Sequence, residues 1–231
     1  MATSRRSDKE LQVLVRKSKK LSWLLRHGAR EMGLAMDSSG FAHIGEVLRM
    51  TGLSRDELDE VVAENNKSRF EVRGKQVRAV QGHSLEGTPV TLEGLERSWD
   101  EVTGDAPLYH GTSRSAARAI LSGEGVHSAA RTHVHLAATV DSKVGKRAGV
   151  DVLLVISPER LRASGLRVFR ALNGVLLARA IPADAITDVL ACNGPGRSAL
   201  AELKKRVVDY GCAGSSSASR TSVGGLAPSA R

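Results

Sequence analysis

Aromatic residues are scarce in this chain: Phe, Trp and Tyr together make up 3% of 231 residues. With so few rings, any core must be built from Leu, Val, Ile and Ala. The hydrophobic share of 41% is ample for that, and the length allows one large domain or two small ones. Cysteine is nearly absent. Cys192 and Cys212 are too few and too far apart for a disulfide framework or a Cys-based zinc site. Long apolar runs are missing too: none approaches the ~18 residues needed to span a membrane. The opening "MATSRRSDKE" has no apolar core of a secretory signal. A reduced, cytoplasmic protein with no membrane partner is expected.

What the chain does have is positive charge. The net charge is +9, unevenly spread. Residues 1–83 hold 16 basic and 11 acidic side chains; residues 84–105 hold one basic and six acidic; residues 106–212 hold 15 basic and eight acidic. Two basic lobes around an acidic segment suggest a polyanionic partner, because phosphates neutralised by Lys and Arg release counterions.

Leu11, Leu14, Val15, Leu21 and Leu25 fall at helical spacing. They predict an amphipathic helix over 9–27 that ends at Gly28 as a C-cap. "HIGEVLRM" reads as a short helix. Ser54 and Glu57 form the spacing of a capping box before "RDELDEVVAENN". "SRFEVRGKQVRAV" alternates around Gly74-Lys75 and predicts a β-hairpin. Helices followed by a hairpin make residues 1–83 a winged-helix-like, nucleic-acid-binding module. Residues 84–106 are acidic and rich in Gly and Pro, and read as a linker or peripheral segment. From 107 to 212, "APLYHGT", "RTHVHLA", "VDVLLVIS" and "RVFRALNGVLLARAIP" read as strands and "RSAARAILSGEG" as a helix, which predicts a β-rich α+β lobe. Residues 213–231 lack apolar content and read as a disordered tail.

Three stretches carry possible chemistry. "LLRHGA" resembles the Arg-His-Gly signature of histidine phosphatases, but there the motif follows a buried strand. Here a helical stretch with basic residues at 16, 17, 19 and 20 precedes Arg26-His27. Two exposed residues at a helix C-terminus is the plainer reading. Lys67 and Arg69 sit two apart on a predicted strand face, as do Gln81 and His83, a pattern common on solvated strands. "RTHVHL" puts Arg131, His133 and His135 on one face. Such groups repel one another unless an anion lies among them. The His-x-His pair lacks a carboxylate or Cys at ligand spacing, so no metal is expected.

Seven pieces taken in order resemble the RNA 2′-phosphotransferases: "LSWLLRH", "MGLAMDSSGFAHIGEVL", "KSRFEV", "RAVQGHS", "LYHGTS", "RTHVHLA" and "NGVLL…IP". The likeness runs from about residue 18 to 190. It implies an N-terminal winged-helix-like RNA lobe joined to a C-terminal ADP-ribosyltransferase-like lobe, α+β overall; a monomer is expected, though the sequence does not itself give the oligomeric state. It also implies removal of an internal 2′-phosphate from RNA at the expense of NAD+. In that reaction the phosphate attacks the anomeric carbon of the nicotinamide ribose. The 2″-hydroxyl then attacks the phosphate, leaving 2′-hydroxyl RNA and ADP-ribose 1″,2″-cyclic phosphate.

By the same resemblance, Arg26, His27, Arg69 and Arg131 are the catalytic set on the 2′-phosphate, with Lys67 assisting the second step. His110 is expected on a ribose hydroxyl of NAD+. Gly111 would admit the nicotinamide amide close to the backbone, and Thr112 and Ser113 would supply hydrogen bonds. His133 and His135 are further expected NAD+ contacts. Ala137 and Leu176 stand where the family often has Ser and Trp. No Glu occurs between Glu159 and Glu202, which suits a nucleophile that is already an anion. Two alternatives remain open at this level: an ADP-ribosyltransferase acting on terminal phosphates, and a non-catalytic winged-helix binder.

Overall fold

A computed structural model describes residues 8–64, 68–142 and 149–214. The fold is α+β, with several small antiparallel sheets. Chain order begins with α1 (Asp8–Trp23), which runs into a wide helical turn at Leu24–Gly28 with i→i+5 spacing. Then come β1 (Ala42–His43), α2 (Ile44–Thr51), α3 (Arg55–Ala63) and the hairpin β2 (Phe70–Arg73) and β3 (Gln76–Ala79). The three strands pair antiparallel in the order β1-β3-β2.

The predicted capping box is present. Ser54 Oγ accepts from the Glu57 amide at 3.1 Å, and the Ser54 amide donates to Glu57 Oε2 at 2.9 Å. The same Glu57 pairs with Lys17 Nζ at 2.9 Å, so the cap also ties α3 to α1. The hairpin turns at Gly74, whose φ of 59° suits a residue without Cβ. Leu21, Leu24, Leu25, Val47, Leu58, Phe70 and Val77 fill the core beneath it. As expected, aliphatics do nearly all of this packing.

The predicted helix end is corrected in detail. The α-helix stops at Trp23, and Gly28 is not a left-handed cap. Gly28 is required for another reason. A Cβ there would stand 2.6 Å from Trp23 Cη2, so the glycine admits the indole ring.

The acidic segment 84–106 is structured. It forms α4 (Leu92–Glu96) and β4 (Asp100–Glu101). Val90, Leu95 and Trp99 pack with Phe169, Val175 and Leu177 into a core of their own. Arg78, buried in the hairpin, donates to Ser98 Oγ at 2.7 Å and to Glu71 Oε2 at 2.7 Å. The Trp99 indole N–H donates to the Val80 carbonyl at 2.9 Å. Of the six acids in this segment only Glu96 is buried, and it is held by Arg179.

The rest comprises β5 (Leu108–Thr112), α5 (Arg114–Ala119) with a wide turn at Ile120–Glu124, β6 (Val126–His127), β7 (Val134–Leu136) and β8 (Val152–Ile156). After these come α6 (Pro158–Ala163), β9 (Val168–Arg170), β10 (Leu176–Ala178), β11 (Ala180–Ile181), β12 (Ile186–Ala191) and α7 (Gly194–Gly214). One sheet has the order β12-β8-β5, another β4-β9-β10-β7, and β11 pairs with β6. A bridge from Tyr109 to Ala137 links the first two. The continuous apolar run of β8 is explained by its central place: it is flanked by two strands and shares a core with residues of α7. Residues 213 and 214 still belong to α7, and the remainder of the expected tail lies outside the described residues. Among the described residues, no helix is long and apolar enough to cross a membrane.

Candidate active site

One cavity of about 750 Å³ is lined by residues from both the early and the later parts of the sequence. Arg26, Arg69 and Gln81 line it from the N-terminal side. His110, Gly111, Thr112, Ser113, Arg131, His133 and His135 line it from the other, with Asn173 and the 125–129 loop. Ten of the eleven residues expected at the site are accounted for by this cavity and its edge. The other, Lys67, lies outside the described residues.

Arg26 projects from the wide turn after α1. Its Nε and Nη2 are buried with no hydrogen-bond partner. Burial, and then the charges of Arg69 and Arg131, push its pKa down to about 10. The guanidinium stays charged at neutral pH, among other cations, with donors unused. Arg69 immediately precedes β2, and its carbonyl accepts from Val80 at 2.9 Å. Ser68 beside it has a φ of 43°, an uncommon value for a residue with a side chain.

His27 sits at the edge rather than on the cavity wall. It is exposed, and its Nδ1 lies 3.3 Å from Ser84 Oγ. Partial burial, Arg26 and Arg131 hold its pKa below the ordinary imidazole range. The backbone locks this turn to the segment after β3. Ser84 donates its amide to the Arg26 carbonyl at 2.9 Å, and Arg30 donates to the Gly87 carbonyl at 3.0 Å. A Cβ on Gly87 would lie 2.0 Å from the His27 carbonyl oxygen, so only glycine allows the two strands of chain to touch. One residue before Ser84, the His83 carbonyl accepts from the Thr132 amide at 2.9 Å, joining the segment to the Arg131 loop.

The sequence pattern put Arg131, His133 and His135 on one strand face. The strand in fact begins at Val134, and Arg131 to His133 form a bend. The three still reach the same cavity, by different routes. His135 Nε2 donates to Gln81 Oε1 at 2.6 Å. Burial, Arg131 and Arg26 push its pKa to about 3, so the ring is neutral. His110 Nδ1 donates to the His135 carbonyl at 3.1 Å, which fixes the orientation of its ring.

His133 is buried. Its Nε2 donates to Glu96 Oε1 at 3.2 Å, its ring meets Trp99 edge-on at 5.0 Å, and its Nδ1 has no partner. Burial outweighs the neighbouring carboxylate, and its pKa is lowered. Burial raises the pKa of Glu96, but hydrogen bonds from Arg179 and His133 more than offset this. Arg179 holds Glu96 with both oxygens, at 2.7 and 2.8 Å. Ser113 caps α5, accepting from the Ala116 amide at 3.2 Å, so its hydroxyl is already engaged locally.

Gln81 and His83 are corrected outright: they are not a solvated strand face. Strand β3 ends at Ala79, and both residues are buried. Glu96, Trp99 and Asn173 were not anticipated at the site. The "VQGHS" stretch signalled Gln81. Nothing in spacing pointed to Glu96, which reads as one acid among six.

The geometry leaves a cleft lined by Arg26, Arg69 and Arg131, with room for a sizeable anionic ligand. Comparison with known proteins decides the family. The model of the RNA 2′-phosphotransferase, Tpt1 / KptA family, matches residues 12–180. The chain belongs to the RNA 2′-phosphotransferase family. A relative in Pseudomonas syringae pv. tomato, named "Probable RNA 2'-phosphotransferase", is 36% identical over 182 residues, 74% of this chain and 92% of its own. One in Pyrococcus furiosus with the same name is 33% identical over 181 residues, 75% and 94% respectively. The "tRNA 2'-phosphotransferase 1" of Danio rerio is 35% identical over 191 residues, 77% and 82%. The family match takes in every residue expected at the site, from Arg26 to His135.

Proposed function

We propose that this chain removes an internal 2′-phosphate from RNA using NAD+ as co-substrate, with a winged-helix-like RNA lobe and an ADP-ribosyltransferase-like NAD+ lobe. The observation that carries this reading is Arg26. A buried guanidinium with two unpartnered nitrogens, in Coulombic reach of Arg69 and Arg131, is what a phosphate dianion would satisfy. The adjoining His110–Ser113 wall belongs to the same cavity. Its volume of about 750 Å³ is in the range of small-molecule and cofactor sites.

When bound, NAD+ supplies an electrophilic anomeric carbon and a nicotinamide leaving group. The chain's own residues then have three tasks. Arg26, Arg69 and Arg131 hold the phosphate and spread the charge that builds on its oxygens. A dianionic nucleophile needs no general base, in keeping with the lack of Glu between Glu159 and Glu202. His110, oriented by its Nδ1 bond to the His135 carbonyl, suits a ribose hydroxyl, while the neutral His135 adds no charge against a cationic transition state. Lys67 and His27 stand as expected assistants on the phosphate side.

The test is incubation with a short RNA bearing one internal 2′-phosphate, plus NAD+. The expected products are RNA with a 2′-hydroxyl, nicotinamide, and ADP-ribose 1″,2″-cyclic phosphate. Arg69→Ala and Arg131→Ala should each lower turnover at least ~100-fold, the scale of losing one preorganised donor. Retention of the phosphate by the wild type, or nicotinamide release that ignores RNA, would overturn the reading.

A further inference from the structure

Two tryptophans occur in this chain, and they are treated oppositely. Trp99 is 8% exposed with its N–H bonded, whereas Trp23 is 43% exposed. A large ring left in water at that level calls for a reason. Trp23 is also braced. Its Cη2, Cζ3 and Cζ2 lie 2.6, 2.7 and 2.9 Å from where a Gly28 Cβ would stand, so the ring rests on bare backbone. The i→i+5 turn makes this possible, because it brings residue 23 alongside residue 28. Within that same turn Arg26 enters the cavity and His27 stands at its edge.

Exposed apolar side chains lie near this turn in the chain, and exposed cations precede it along α1. Met32, 42% exposed, donates its amide to the Gly28 carbonyl. Leu85, 45% exposed, follows Ser84, whose hydroxyl meets His27. Along α1, Arg16 and Lys19 are exposed and precede Trp23 by seven and four positions, one helical face. A cationic row leading to a braced aromatic ring, beside a buried phosphate-type pocket, is the arrangement by which proteins hold single-stranded RNA.

We infer that Trp23 is a stacking platform for a base of the RNA substrate, next to the site that takes the 2′-phosphate. The inference deepens the function proposed above and rests on it for the identity of the RNA. A protein partner would be served by a continuous apolar face, which the interleaved Arg16, Lys19 and His27 interrupt.

The experiment measures steady-state kinetics at saturating NAD+ on a 2′-phosphorylated oligonucleotide. A second substrate lacks the bases at and beside the phosphorylated nucleotide. Trp23→Ala should raise KM for the intact RNA about 5- to 100-fold, the range of one base–aromatic stack, with kcat changed less than about threefold. Trp23→Phe should stay within about threefold of wild type. On the abasic substrate wild type and Trp23→Ala should coincide. Intact RNA should quench wild-type tryptophan fluorescence, and Trp23→Phe, which leaves only Trp99, should lose that quench. An unchanged KM for Trp23→Ala, or an equal rise on the abasic substrate, overturns the inference while leaving the enzymatic reading intact. A wild type that cannot remove the phosphate overturns the enzymatic reading, and the quench by RNA still decides the role of Trp23.

Discussion

Replacing Arg26 by methionine should make the protein more stable and useless. The guanidinium is held at about 10 against an ordinary 12.5. At about 1.4 kcal/mol per unit, the charged form is disfavoured in the folded state by up to about 3 kcal/mol. The sign follows from proton linkage. Between the two values the unfolded chain binds the proton more readily, so the penalty is present in full below pH 10 and relieved only above it. Methionine keeps most of the apolar stem and removes the charge. Allowing for solvent at the cavity mouth, a gain of about 1–2 kcal/mol is expected, or ~2–8 °C in Tm for a chain of this size. Thermal melts from pH 7 to 9 should show a constant gap between variant and wild type. Added inorganic phosphate should raise the wild-type Tm more than the variant's, since the variant keeps only Arg69 and Arg131 to hold it. A variant that melts below wild type, together with a wild type indifferent to phosphate, would show that Arg26 is not in conflict with its neighbours.

Acid should act through His83, whose ring nitrogens are both buried and unpartnered. Burial, Arg26 and Arg78 push its pKa to about 3 from 6.5, so stability is intact above 6.5 and falls as pH drops toward 3, by up to about 5 kcal/mol. His83→Leu should flatten the loss of denaturant midpoint between pH 7 and 4; an unchanged slope would place the acid sensitivity elsewhere. Gly87→Ala, which drives a Cβ to 2.0 Å from the His27 carbonyl, should cost about 2–3 kcal/mol and lower activity with it. Gly33→Ala, with a φ of 67° but open space around it, should cost only about 1 kcal/mol in chemical denaturation. Glu96→Leu should free the His133 ring from its fixed tautomer, visible in the nitrogen shifts of that imidazole, and strip Arg179 of its bidentate partner.

Local signals in the sequence were legible where one element decides the outcome. The Ser54–Glu57 cap and the turn at Gly74 depend on neighbours three or four positions away, and both stand as read. So does the gathering of Arg26, Arg69 and Arg131, although spacing alone could not have joined them; the ordered family motifs did. What failed were inferences that needed tertiary context. Period-two spacing made a wet strand face the plainer reading of Gln81 and His83, but the strand ends at Ala79 and both are buried, Gln81 on His135 and His83 against Gly40 and the Arg131 loop. Acidic composition made residues 84–106 look like a linker, because charge is counted without its partners. Phe169, Val175 and Leu177, far off in sequence, bury Val90, Leu95 and Trp99 of that segment, and Arg179 holds its one buried acid, Glu96.

The seam made by residues 80–88 bears on timing as well as shape. Its amides and carbonyls grip the Arg26 turn on one flank and the Arg131 loop on the other, and Gly87 leaves no slack between them. Three backbone bonds thus make one short stretch of chain the common anchor for arginines that lie far apart in sequence. A distortion introduced there would be felt by both groups of cations at once, so a fault in that short stretch should disturb the grip on an anion without touching any residue that meets it.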